Sequence, residues 1–68
     1  MTFKKLEKLT DGKSLPIMGE NEDGETFYIG KGEQDGNRFF VVSTAQWNGW
    51  MRHNTYWEDG TIEEAYER

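Results

Sequence analysis

His53 is the one imidazole in the chain, and cysteine is absent, so the ordinary nitrogen and sulfur ligands of a zinc site are missing. A lone histidine on a strand is ordinarily a packed or surface residue. Counting outward from Asn48-Gly49 places Thr44 beside it. Ser14 and Ser43 stand outside any nucleophile motif such as G-x-S-x-G. The neighbours Glu58-Asp59 and Glu63-Glu64 have the groups for general acid and base work. Such work needs a cleft that shifts one of two pKa values, and a chain this short rarely encloses one. "GENEDGE" places Asn21, Asp23 and Gly24 as an EF-hand loop would, but Gly19 occupies the first ligand position and Gly30 replaces the bidentate Glu. In "YIGKGEQDG" the glycines surround Lys31, yet no helix pattern follows to direct a dipole at phosphate. The expectation is a protein that is not an enzyme and uses no metal or cofactor.

Binding has better sequence support. Aromatic residues make up 15% of a chain whose apolar fraction is only 34%, so aromatics must supply much of the core and any contact surface. "QWNGWMRHN" sets Trp47 and Trp50 on either side of Asn48-Gly49. Together with Tyr28, Arg52, Asn54 and Tyr56 they form the candidate site, since Trp, Tyr and Arg are the residue types most often found as binding hot spots. The acidic turns Glu20-Asn21-Glu22-Asp23 and Glu33-Gln34-Asp35, with Glu58-Asp59, form a rim that attracts a basic partner. The reading is a protein-interaction module, an inhibitor or accessory protein. Mimicry of a phosphate backbone, to occupy a nucleic-acid-binding enzyme, is a special case. The alternative is a small nucleotide-like or sugar-like ligand stacked on the same aromatic face. Direct nucleic-acid binding is disfavoured: the net charge is -5, and Lys4, Lys5, Lys8 and Lys13 lie apart from the predicted aromatic face.

The elements that must position these residues are marked by turns. Asp11-Gly12, Asp23-Gly24, Asp35-Gly36, Asn48-Gly49 and Asp59-Gly60 recur about every 12 residues, and such dipeptides between apolar runs signal hairpins. They bound strands over Leu15 to Glu20, Glu25 to Lys31, Arg38 to Gln46 and Trp50 to Glu58, giving an antiparallel meander of about four strands in an α+β or mainly β domain. The polar flanks of Asp23-Gly24 allow a longer loop there. Phe3, Leu6 and Leu9 form a short helical stripe that Asp11-Gly12 ends. Thr61-Ile62-Glu63-Glu64 matches a capping box and predicts a C-terminal helix. The competing reading makes residues 61–66 a fifth strand, with a five-stranded small barrel as the alternative architecture.

If each inner turn has two residues, the register follows by counting. Trp47 then opposes Trp50, and Ala45, Ser43 and Val41 pair with Arg52, Asn54 and Tyr56. The core face carries Met18, Ile29, Val42 and Thr55 with Phe27, Phe40 and Trp57. The opposite face carries the candidate site together with Ile17, Phe39, Val41 and Ser43. A one-residue difference in any loop exchanges the faces.

The length of 68 residues fits one domain, 1–68, that buries only about 60% of its unfolded surface. Without cysteines or a run of roughly 18 apolar residues, and with no apolar stretch in the first 15 residues, the expectation is a cytoplasmic protein with no membrane partner.

Overall fold

Turn chemistry determines how this chain pairs with itself. In the computed structural model, which describes residues 1–46 and 48–68, helix α1 (Phe3–Leu9) precedes β1 (Ile17–Glu20), β2 (Thr26–Gln34), β3 (Asn37–Ala45), β4 (Met51–Trp57) and β5 (Ile62–Glu67). The strands form one antiparallel sheet in the order β1-β2-β3-β4-β5. At Asp35-Gly36 both residues have positive φ, 53° and 80°. That is the signature of a two-residue I′ turn, and Gln34 pairs with Asn37 across it.

The other three hairpins are built differently. Gly24, Gly49 and Gly60 have φ of 79°, 85° and 97°, while Asp35 is the one residue other than glycine with positive φ among those described. Gly24, Gly49 and Gly60 donate to the carbonyls of Asn21, Gln46 and Trp57, and the pairs Asn21/Glu25, Gln46/Trp50 and Trp57/Thr61 close the ladders. Each connection thus ends on a left-handed glycine, and those at Gly24 and Gly60 have the arrangement of a three-residue type I turn with a bulge. Side chains favour it. Asn48 Oδ1 accepts from the Trp50 amide at 3.2 Å, Asp59 Oδ1 from the Thr61 amide at 2.9 Å, and Asn21 Oδ1 from the amides of Asp23 and Glu25.

The extra residue corrects the expected register by one at the β1/β2 and β3/β4 hairpins. Ala45 pairs with Met51, Ser43 with His53, Val41 with Thr55 and Phe39 with Trp57. Ile17, not Met18, lies beside Ile29. The β2/β3 pairing is as counted, with Ile29 beside Val42 and Phe27 beside Thr44.

Helix α1 carries the expected stripe of Phe3 and Leu6 on its buried side. Thr2 caps it by accepting from the Lys5 amide at 3.2 Å, and Gly12, at φ 74°, takes the left-handed position after its end. Phe3 and Leu6 point into the sheet, where they bury Ile29 and Phe40, with Leu15, Ile17, Phe27, Val42 and Tyr56 packed around them. Arg38 ties the helix down: its guanidinium lies 5.3 Å from the centre of the Phe3 ring and pairs with Glu7 and Glu58. The seven-residue α1 is far short of a membrane span, and no helix among the described residues is long and apolar enough to be one.

The C-terminal segment is a strand, not the expected helix, so the sheet has five strands. Thr61, read as a helix cap, instead accepts from the Trp57 amide through its carbonyl, and Glu63 accepts from the Trp57 indole at 2.6 Å. Alternation of Ile62, Glu63, Glu64, Ala65 and Tyr66 serves the sheet as well as the helix, and β4 offers a ladder that an isolated helix lacks. The small-barrel alternative is corrected too. β1 and β5 pair on one side each, leaving the sheet open.

Candidate functional site

A single short helix covers one face of this sheet and leaves the other without a covering element. Alternation from the observed register puts Met18, Tyr28, Ser43 and His53 in one row of the uncovered face, with Ala65 continuing it on β5. Gly32, Phe39 and Trp57 form a second row. Met18 is 69% exposed and Tyr28 41%. Phe39 and Trp57 pack with ring centres 4.7 Å apart, and Phe39 lies over Gly32, where a Cβ would come within 2.5 Å of the ring. Glycine therefore makes room for the aromatic, and the aromatic covers backbone that glycine leaves bare. The same device recurs on the helix side, where Phe27 lies over Gly19.

The strand cations all lie on one face, whereas the strand glutamates are divided, with Glu33 and Glu64 on the helix side. Lys31, Arg38 and Arg52 are the cations on the strands, and their register places all three on the helix side. Glu20, Glu63 and Glu67 fall on the uncovered face. At one end of that face a shallow hollow of about 340 Å³ surrounds Trp57 with Asp35, Asp59 and Glu63. The amide and hydroxyl of Thr61 hold the Asp59 carboxyl below the usual carboxylate range, and the Asn37 amide adds to the effect. On the helix side, the hydrogen bond from Arg38 keeps Glu58 low and raises Arg38 in turn.

The predicted site residues divide between the faces. Tyr28 lies on the uncovered face as expected, with Phe39, Val41 and Ser43. Arg52, Asn54 and Tyr56 lie on the helix side, because the connection before β4 is one residue longer than counted. There they share a hollow of about 220 Å³ with Leu9, Phe27, Ile29, Val42 and Thr44. Trp50 pairs with Gln46, and Arg68 stacks over its ring at 5.6 Å. Trp47 lies outside the described residues.

Trp57 and His53 belong to the uncovered face, although nothing in their local sequence marks them for it. Trp57 was assigned to the core by register alone. His53 was set beside Thr44, whereas its Nδ1 lies 2.7 Å from Ser43 Oγ. A hydroxyl against an imidazole is the first contact of a nucleophile and base. Among the described residues no carboxylate bonds the second ring nitrogen to orient it, and no group of three or more His, Cys, Asp or Glu side chains converges on a metal position.

Comparison with protein-family models, with curated proteins and with solved structures finds no match to this chain.

Proposed function

We propose that the protein is a non-catalytic interaction module that receives a basic protein surface on the sheet face away from α1. The observation that carries this reading is the charge arrangement: every lysine and arginine on the strands points to the helix side, while Glu20, Glu63 and Glu67 edge a face centred on Tyr28, Phe39 and Trp57. Aromatic anchors inside a charged rim are the composition of a protein contact. A face without cations is poorly suited to phosphate backbones, whose binding depends on lysine and arginine. The hollow at Trp57 fits a partner's lysine or arginine side chain, which would meet the indole and three carboxylates there.

The test is recovery of a partner by the tagged wild-type chain against two variants. Met18→Lys with Glu63→Lys reverses the uncovered face at exposed positions, and Lys5→Glu alters the helix side. Recovery should fall at least tenfold with the first and hold with the second. Equal recovery by wild type and the double variant, with both folded by circular dichroism, removes the proposed face.

A further inference from the structure

We propose that the hollow beside α1 binds a small organic carboxylate with a compact apolar body, held by Arg52. This site lies on the opposite side of the sheet from the interaction face and does not depend on it. Three of its lining side chains, Leu9, Ile29 and Val42, offer apolar surface, while Arg52, Asn54 and Tyr56 enter from β4. These last three thus form a polar wall along β4, Thr44 and Asn21 add two further polar groups, and Leu9, Phe27, Ile29 and Val42 supply the apolar part, a combination that orients a small amphipathic ligand.

Arg52 decides the charge of that ligand. Its guanidinium is always protonated, and no carboxylate lines the hollow. The ion pairs among the described residues belong to Arg38, not to Arg52. The Nε of Arg52 is buried without a hydrogen-bond partner among the described residues, so part of its hydration is already lost. An incoming anion then displaces less water, and the outer nitrogens offer the fork that matches a carboxylate. The neighbouring acid is Glu64, which pairs with Asn54 across β4 and β5 on the same face and is exposed; its charge opposes an anion. The volume of about 220 Å³ is below the roughly 300–1,000 Å³ of sites for drug-sized molecules, which sets the ligand at fragment size.

The experiment is a titration of the full ¹⁵N-labelled chain with benzoate, with benzamide as the neutral analogue and inorganic phosphate as the anion without an apolar body. Benzoate should give saturable shifts at the Arg52 Nε–H and at the Val42 and Asn54 amides, with benzamide and phosphate at least tenfold weaker. Arg52→Met, which keeps the aliphatic stem, should weaken benzoate at least tenfold. Glu64→Gln should tighten it roughly two- to threefold, the effect of removing one like charge several ångströms away in water. Absence of saturable benzoate shifts, or equal affinity for benzamide, overturns the proposal, and equal affinity for phosphate overturns its apolar half. If Arg52→Met unfolds, Glu64→Gln still decides: unchanged or weaker benzoate binding would count against the site.

Discussion

Gly32 and Phe39 show how one missing side chain fixes another. A Cβ at residue 32 would sit 2.5 Å from the Phe39 ring, so Gly32→Ala must push the ring off its seat against Trp57. Overpacking of this kind costs about 1–3 kcal/mol, and urea unfolding should show a loss of that size. Phe39→Leu in the same chain should recover part of it, and additive losses from the two changes would contradict the packing described. A second residue-level expectation concerns acid. Glu58 and Asp59 titrate lower in the folded chain than in the unfolded one, so on acidification the unfolded chain takes up protons first. Their contribution is complete above the ordinary carboxylate range and is lost as pH falls through the depressed folded values. Arg38→Met removes the largest cause at Glu58, so the variant should lose less stability than wild type between neutral and acidic pH, measured by denaturant midpoints. An unchanged acid dependence would show that the pair has no such effect. Gly32 opposite Phe39 follows from the β2/β3 count, whereas Phe39 against Trp57 and Arg38 against Glu58 were not legible, because only the observed β3/β4 register brings them together.

The three inner hairpins were legible; their lengths were not. Each Asp-Gly or Asn-Gly marks a reversal, yet the dipeptide is compatible with a two-residue turn having both residues left-handed and with a three-residue turn in which only glycine is. Asp35 takes the first conformation and pays with φ 53°, which for a residue with a Cβ costs roughly 1–2 kcal/mol. Asp35→Gly should therefore hold or raise the thermal midpoint while Asp35→Ala lowers it, and the opposite order would show that Asp35 is not strained. Helix α1 was readable from Phe3, Leu6 and Leu9, since a spacing of three has no competing strand interpretation. At the C-terminus the capping-box residues and the alternating strand coincide in the same letters. Only the free edge of β4, onto which the Asp59-Gly60 turn folds residues 62–67, decides between them.

For the molecule as a whole, the antiparallel meander and its first helix follow from the sequence, and so does the assignment of Phe27, Ile29, Phe40 and Val42 to the covered side. Composition of the outer face does not, because it is the sum of several loop lengths, and two of the three inner hairpins carry one residue more than counted. Tyr28 kept its place since the β2/β3 turn was counted correctly, whereas Arg52, Asn54 and Tyr56 changed sides with β4. The exchange left the acidic face without cations and gave the helix side a charged wall beside apolar residues. The body is only 17 Å through its thinnest dimension, about twice the distance of roughly 8 Å over which physiological salt damps a charge. A partner touching the sheet thus senses the glutamates in front of it and little of the lysines and arginines behind. A chain with one net charge of -5 thus presents two unlike sides, and if the proposed face is the contact, a basic surface would be drawn to the sheet before touching it.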